Sequence, residues 1–434
     1  MSNKSLKREL GLGSAVMLGL GSMVGAGVFV SLGLGAGLVG PAVLAAIVLA
    51  GGLAMCNGMS SAQLAAYHPV AGGTYEYGHR VGWPALGTVA GFMFLVAKSA
   101  SCATAALGLA GYVLHRFDAP QLMIPGALAV IVMLTVMVLE GIRRTNTINT
   151  IVVTITLIGL AVFVLGGIGK VDGENFSPWI YVEGGDLINV NHASWPNFAY
   201  ATALMFVAYT GYGRIATMGE EIKEPRKSIP RAIVATVMVC IVVYTSVAAV
   251  GIGLVSAEGF TLLSESGAPL EAIVENVGLP VWIGWAVTIA AVTAMLGVIL
   301  NLILGLSRVA LAMGRRGHLP KLFVKIDDAG TTPGPAVILV ALIVAGLACL
   351  GSIKAAWSLS AVTVLVYYAI TNASALRLPP EARLYPRMFS WMGLLGCLGL
   401  SVFVEPIYWA FAGGVILAAL VWHVISTKNN PPAE

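Results

Sequence analysis

Two glycine-rich segments interrupt stretches of sequence that are otherwise apolar enough to cross a lipid bilayer. They are residues 21–27 (GSMVGAG) and residues 211–213 (GYG). In hydrocarbon every backbone N–H and C=O group needs a partner within the protein, so a broken helix persists there only where the freed groups line a protected cavity or hold a ligand. The two segments therefore predict one binding site near the middle of a membrane, built from both breaks.

The groups that such breaks expose can bind both ends of a zwitterion. Unwinding over residues 24–27 leaves amide N–H groups at the start of a half-helix, where partial positive charge stabilises a carboxylate. Carbonyl oxygens freed there and over residues 207–211 can accept hydrogen bonds from an ammonium group. The alternative is that these glycines only let helices pack closely, as small residues do in membranes.

Three basic residues, Lys98, Arg214 and Arg308, lie within the apolar stretches. A charge at the bilayer centre costs at least ~2.5 kcal/mol, so each of them is a hypothesis for a functional site. Arg214 directly follows the second glycine break. Lys98 has two interpretations: it faces the ligand, or its ammonium group snorkels or caps a carbonyl that unwinding has freed.

Acidic residues are missing from the deep part of every apolar stretch. A ligand with a cationic side chain would need a buried carboxylate partner, because an unpaired charge in a low dielectric is costly. The sequence therefore favours a neutral or acidic ligand over a polyamine or another cation.

The elements that must position these groups are membrane-spanning helices. Hydrophobic residues make up 58% of the 434 residues and charged residues only 10%, against roughly 25% charged residues in an average soluble domain. Stretches of about 20 apolar residues suffice to cross a bilayer. We predict an all-α membrane protein with twelve spans, at residues 13–33, 41–66, 84–114, 121–139, 147–168, 198–219, 231–255, 278–306, 334–351, 355–373, 388–404 and 407–426.

The basic residues between the spans predict the orientation, because loops rich in Lys and Arg stay cytoplasmic. With the N-terminus inside, 18 of the 24 Lys and Arg residues fall on the cytoplasmic side, and only Arg116, Lys170 and Lys354 on the outer side. Both termini are therefore expected in the cytoplasm. The net charge of +4 follows from this topology and does not indicate nucleic-acid binding.

Other chemistry finds no support in the sequence. The five cysteines are scattered through the spans, which is typical of small buried apolar residues. No CxxC, HExxH or nucleotide-binding loop occurs. We predict no metal, no cofactor and no enzymatic activity.

The order of the spans indicates an internal repeat. Spans 1 and 6 carry the two glycine breaks and run in opposite directions, so five-span units at 11–168 and 198–376 would be related by inverted topology. The remaining segments are a cytoplasmic tail at 1–10, an extracellular loop at 169–197, helices 11 and 12 at 377–426, and a cytoplasmic tail at 427–434.

Several motifs follow one another along the first ten spans. They are residues 21–29 (GSMVGAGVF), 69–77 (PVAGGTYEY), 206–213 (FVAYTGYG), 220–230 (EEIKEPRKSIP), 307–308 (SR) and 315–320 (RRGHLP). This series resembles the amino acid, polyamine and organocation (APC) transporter family. The resemblance implies a leucine-transporter-type fold, with two five-span inverted repeats, discontinuous helices 1 and 6, and two extra helices. It also implies the transport of amino acids or related amines by alternating access.

The same resemblance implies particular site residues. The aromatic side chains of Phe206 and Tyr209 are candidate gates over the substrate, and Arg308 is a candidate anchor of the inner gate. Lys98 and Ser99 fall where members of the family present side chains to substrate. The remaining positions that match the family's substrate site are Met23, Gly25, Ala26, Gly27, Val207, Thr210 and Gly211.

Coupling to an ion is less clearly encoded. Many proton-coupled members of the family place a lysine in span 5, where this sequence has Thr156. Lys98 is then the deep titratable residue that could carry a proton, with Arg214 as the second buried charge. Sodium coupling needs oxygen ligands, yet residues 294–306 of span 8 contain no Ser or Thr. Proton coupling, sodium coupling through backbone carbonyls, exchange and uniport all stay open.

We therefore interpret the sequence as a secondary active amino acid transporter, a symporter or antiporter of the plasma or inner membrane. Its expected partners are a small amino acid substrate, a coupling H⁺ or Na⁺, and the lipid bilayer. One alternative is a non-transporting amino acid sensor on the same fold. The other is a polyamine or amine carrier.

Overall fold

The computed structural model describes residues 11–68, 72–141, 146–180, 194–217, 222–327 and 332–429. Within these ranges the chain forms α-helices and short 3₁₀ turns and no β-strand, so the all-α prediction is confirmed. The α-helices are α1 (Leu12–Met23), α2 (Ala26–Phe29), α3 (Leu32–Val39), α4 (Val43–Tyr67), α5 (Thr74–Arg80), α6 (Pro84–His115), α7 (Met123–Leu139), α8 (Asn146–Gly167), α9 (Ser194–Tyr209), α10 (Gly213–Thr217), α11 (Pro225–Ser264), α12 (Pro269–Asn276), α13 (Val281–Arg315), α14 (Gly334–Ala348), α15 (Ile353–Leu376), α16 (Arg387–Ser401) and α17 (Pro406–Asn429).

Parts of the predicted organisation fall outside the described residues. They are the tail at 1–10, residues 181–193 of the predicted outer loop, and residues 430–434 of the C-terminal tail. Residues 69–71 and 220–221, which belong to two of the motifs, also lie outside them.

Eight helices in the described ranges are long and apolar enough to cross a membrane. Two further apolar helices, α1 and α14, are shorter. The eight are Leu32–Tyr67, Pro84–His115, Pro120–Leu139, Asn146–Lys170, Pro225–Ser264, Val281–Arg315, Ile353–Leu376 and Pro406–Thr427. Each overlaps a predicted span, as expected of a chain that crosses the membrane several times.

The first predicted break lies between α1 and α2. α1 ends at Met23, and the next residue, Val24, has left the helical region at φ −78° and ψ 102°. Helix resumes only at Ala26. Gly25 has the low helix propensity of glycine, so the interruption lies where the local sequence favours helix least.

The second break takes a different form from the first. α9 ends at Tyr209, a 3₁₀ turn covers Thr210–Tyr212, and α10 begins at Gly213. The Thr210 hydroxyl donates to the Val207 carbonyl at 2.7 Å and so satisfies one group near the end of α9. The sequence predicted the position of this interruption. It predicted unwound backbone there, whereas the helix tightens into a 3₁₀ turn.

The two breaks pack directly against each other. A β-carbon on Gly211 would overlap the Ser22 carbonyl group and lie 2.8 Å from Met23 Cγ. A β-carbon on Gly27 would lie 3.0 Å from Ala208 Cα. Glycine is required at both positions because the two backbones approach so closely. Close packing, which was the alternative interpretation, therefore accompanies the breaks and does not replace them.

Two motifs that are far apart in sequence meet at one end of the helices. Arg316 donates from Nε and Nη2 to the two carboxylate oxygens of Glu76, at 2.7 and 2.6 Å. Tyr75 Oη lies 2.7 Å from His318 Nδ1. These contacts join α5 to the loop that follows α13, and a bidentate Arg–carboxylate pair fixes the geometry as well as the charge.

One acidic side chain is fully buried outside the predicted spans. Glu271 lies in the short helix α12, which connects two of the predicted spans. Its carboxylate contacts Arg116 and accepts a hydrogen bond from Thr288. Arg116 also packs over the Trp285 ring, 4.6 Å from its centroid. The ion pair therefore ties α12 to the adjoining ends of α6 and α13.

Replacement of Glu271 tests how much this ion pair with Arg116 stabilises the fold. Glu271→Gln removes the buried carboxylate that pairs with Arg116 and leaves this guanidinium only the half-exposed Glu275 as its carboxylate partner among the described residues, and we expect a loss of about 3 kcal/mol in the free energy of unfolding. Thermal unfolding in detergent measures it. Glu275 is the matched control, because it contacts the same Arg116 at 3.4 Å but its side chain is 49% exposed. Glu275→Gln should cost ~0–1 kcal/mol, and equal losses in the two variants would contradict the assignment.

Candidate functional site

Two adjoining cavities lie beside the breaks. The larger, about 200 Å³, extends from the second break past Asn301 to residues 72–74 and Arg308. The smaller, about 40 Å³, is enclosed by residues of both breaks together with α6, α13 and α15. Its lining consists of Ser22, Met23, Gly25, Ala26, Gly27, Lys98, Ser101, Val207, Ala208, Thr210, Gly211, Val298, Leu302 and Trp357.

The first break contributes three residues to one wall of the smaller cavity. Gly25, Ala26 and Gly27 all line it. Hydrogen bonding resumes with Val28 and Phe29, whose amides both donate to the Gly25 carbonyl, at 3.1 and 3.2 Å. The first N–H groups of a helix have no acceptor within that helix. This wall of the cavity therefore suits an anionic group.

Lys98 lies where the two cavities meet and lines both of them. Its ammonium group donates to the Thr210 hydroxyl at 2.6 Å and to the Thr210 carbonyl at 3.4 Å. The side chain is 7% exposed. Lys98 therefore caps a carbonyl of the second break and also lines the space beside it, while its contact with a ligand stays a prediction.

Basic side chains dominate the charge of the cavity walls. Arg214 and Arg308 line the larger cavity, and Lys98 lines both. No Asp or Glu occurs among the described residues that line either one. A cationic ligand side chain would therefore meet like charges in a poorly hydrated space, where their repulsion is weakly screened.

Most of the residues predicted from the sequence line one cavity or both. They are Met23, Gly25, Ala26, Gly27, Lys98, Val207, Thr210, Gly211, Arg214 and Arg308. The breaks bring these positions together although nearly 300 residues separate the first from the last.

Four predicted residues lie behind the cavity walls. Ser99 is fully buried within α6, on a different side of the helix from Lys98. The Phe206 ring packs edge-on against the ring of Tyr368 at 5.8 Å. The Tyr209 hydroxyl donates to a carbonyl of α4 at 3.1 Å. The Thr156 hydroxyl donates to a carbonyl of its own helix at 2.8 Å.

Three aromatic residues that the sequence analysis did not select bond carbonyl groups near the breaks. Tyr368 Oη donates to the Thr210 carbonyl at 3.2 Å. Trp357 Nε1 donates to a carbonyl of α9 at 2.9 Å. Tyr244 Oη lies 2.9 Å from the Met23 carbonyl oxygen. A polar-tipped aromatic in an apolar span signals a buried acceptor, but the sequence does not reveal which one.

Comparison with known proteins gives one family across almost the whole chain. The family described as "Amino acid permease" matches residues 14–433. An uncharacterized transporter of Mycobacterium tuberculosis is 37% identical over 417 residues, which cover 95% of this chain and 89% of the relative. A branched-chain amino acid permease of Bacillus subtilis is 25% identical, covering 97% and 92%. A chloroplastic cationic amino acid transporter of Arabidopsis thaliana is 28% identical, covering 75% and 58%.

Substitution of the glycines in the two breaks tests whether the breaks form the binding site. Gly211→Val places side-chain atoms into the Ser22 carbonyl, and Gly25→Val places them 2.7 Å or less from Val298. We expect both variants to insert and fold but to lose ligand binding and uptake. Gly52→Val is the control, because a β-carbon on Gly52 meets no atom within 4 Å. Wild-type uptake by Gly211→Val would remove the breaks from the site.

Proposed function

Because the chain belongs to the amino acid permease family and is a transporter and not an enzyme, we propose that it carries an amino acid across the membrane and binds it between the two breaks. The observation that supports this is the smaller cavity. Residues 25–27, where α2 begins, and residues of the second break line it together. A site made of donors on one wall and acceptors on the other matches both ends of an α-amino acid.

The proposed binding mode divides the substrate between the two cavities. The carboxylate lies against the amides of Gly25, Ala26 and Gly27, and the ammonium group lies among carbonyls of the second break, over residues 207–211. The side chain then points past Lys98 into the larger cavity, which apolar residues such as Phe94 and Leu302 also line. Pocket walls of this kind fix the orientation by a few polar groups and admit the side chain by shape.

We propose that transport proceeds by alternating access within a twelve-span fold of two inverted repeats, at 11–168 and 198–376. The larger cavity runs from the breaks to residues 72–74 and Arg308, which the charge distribution assigns to the cytoplasm. The described state then faces inward. Both termini lie in the cytoplasm of a cell whose plasma or inner membrane holds the carrier.

The proposed gates differ in their position in this state. Arg308 borders the open cavity at its cytoplasmic end. Phe206 and Tyr209 are packed against neighbouring helices, with no exposed surface. For either aromatic residue to cover the substrate, its ring has to turn toward the cavity as the carrier changes state.

A neutral or acidic amino acid is the substrate class that the charges favour. The relatives carry names that include branched-chain and cationic amino acids, so the family alone leaves the class undecided. In this chain the described cavity walls hold three basic residues and no carboxylate. The same absence disfavours the polyamine carrier.

Uptake of labelled amino acids into proteoliposomes tests the proposed function directly. A carrier accumulates the label inside the vesicle or exchanges it with unlabelled substrate. A sensor on the same fold, which is the competing hypothesis, binds the label at the protein and accumulates none. Binding without uptake would therefore reject transport while keeping the site.

Competition with unlabelled amino acids tests the substrate class. We expect aspartate, glutamate or small neutral amino acids to displace the bound label, and lysine, arginine and putrescine to be inert, because a second cation near Lys98 and Arg214 is repelled. Equilibrium binding at constant ionic strength measures this. Strong competition by arginine or putrescine would show that the charge argument is wrong even if the site is right.

Lys98→Met tests whether this residue carries the coupled proton. The variant keeps an apolar side chain of similar length but has no group to titrate. We expect net uptake to lose its dependence on pH while exchange of internal for external substrate continues. Arg308→Gln serves as a control, since it removes another basic residue that lines the larger cavity. An unchanged pH profile in Lys98→Met would exclude it as the proton carrier.

A further inference from the structure

One hydroxyl group lies within hydrogen-bond distance of both broken spans. Tyr244 belongs to α11 and is 1% exposed. Its Oη lies 2.9 Å from the carbonyl oxygen of Met23, the last residue of α1. The same Oη lies 3.2 Å from the carbonyl oxygen of Ala208, one residue before the end of α9. Two carbonyl groups from opposite halves of the chain thus converge on a single donor.

Two carbonyl oxygens that converge in the membrane interior need a hydrogen-bond donor between them. Carbonyl groups at the end of a helix have lost their intrahelical partners, and hydrocarbon supplies no replacement. Two carbonyl oxygens that face each other without a donor repel, so the segments that carry them would move apart. The Tyr244 hydroxyl has one proton. Because this proton lies between the two carbonyl oxygens, the hydroxyl group holds them at a fixed separation.

The phenol itself is held in place by its surroundings. The Tyr209 ring packs at 5.2 Å from the Tyr244 ring. One turn before Tyr244, the Cys240 thiol contacts the Met23 sulfur at 3.8 Å. Packing on several sides restricts the side chain to one rotamer. Tyr209 therefore supports the wall of the site from behind, which explains why it does not line the cavity.

The two bonded residues belong to the wall of the smaller cavity. Met23 and Ala208 both line it, whereas Tyr244 does not. Met23 lies two residues before Gly25, the first of the residues proposed to bind the carboxylate, and Ala208 packs on Gly27. A change in the distance between Met23 and Ala208 therefore changes the distance between the donor wall and the acceptor wall.

We infer that Tyr244 is a positioning residue that sets the separation of the two breaks, and thereby the fit of the amino acid between them. The inference rests on the proposed function, since it concerns the same site. Tyr244 itself does not touch the substrate. Its hydroxyl determines whether the carboxylate and the ammonium group can be bound at the same time.

The test is Tyr244→Phe, which removes only the hydroxyl. We expect the KM for uptake and the Kd for binding to rise about tenfold, the effect of one lost buried hydrogen bond. The maximal rate per folded carrier should stay near that of the wild type, because the variant is still saturated at high substrate concentration. Tyr244→Met, another apolar side chain without a donor, should give the same rise and provides a second variant if the first is not recovered folded.

Tyr112→Phe is the matched control. Its hydroxyl is also fully buried and donates to a carbonyl of the first broken span, that of Phe29, at 2.9 Å. That carbonyl lies beyond the break, and the bond does not reach the second break. Tyr112→Phe should lower the melting temperature while leaving KM unchanged.

The outcomes separate the inference from the function on which it depends. A rise in KM for the Tyr244 variants and not for Tyr112→Phe supports the positioning role. Wild-type KM with a lowered melting temperature in Tyr244→Phe would mean that the hydroxyl only stabilises the fold, and the inference would be overturned. If wild-type protein neither binds nor transports any amino acid, the proposed function fails first, whatever the variants do.

Discussion

Hydrocarbon offers the backbone no hydrogen-bond partner, and this constraint governs the centre of the molecule. A helix that stops in the membrane must either satisfy its end groups within the protein or present them to a ligand. The first solution is visible here. Carbonyl groups near the breaks receive hydrogen bonds from Lys98, Tyr244 and Tyr368. Residues 25–27 of the first break line a cavity, and the second solution is the one that we propose for them.

The two breaks contribute differently to the cavity walls because their backbone geometry differs. The first break opens the chain over Val24 and Gly25, and the residues that follow line the smaller cavity. The second tightens into a 3₁₀ turn, in which the Thr210 side chain bonds both its own segment and Lys98. Lys98 thereby donates to a carbonyl of the second break and adds positive charge to the cavity walls. The proposals on substrate class and on proton coupling both depend on this charge.

The sequence predicted the breaks and most of the cavity lining because both depend on local features. Glycines within an apolar stretch are visible without a structure, and so are isolated charges such as Lys98 and Arg214. What could not be predicted depends on contacts between distant segments. Tyr209 was expected to face the substrate, yet its hydroxyl bonds α4. Tyr244 has no distinguishing neighbour in the sequence, and its role appears only when α1 and α9 are placed beside α11. Glu271 was not predicted to be buried because it lies in the short helix α12, outside the predicted spans.

The central claim is that one amino acid bridges the two breaks. A structure of the carrier with its substrate bound tests this claim most directly. We expect the carboxylate within hydrogen-bond distance of the amides of Gly25, Ala26 or Gly27. The ammonium group should lie against carbonyl oxygens of the second break. A substrate bound elsewhere in the larger cavity, with the smaller cavity empty, would contradict the account.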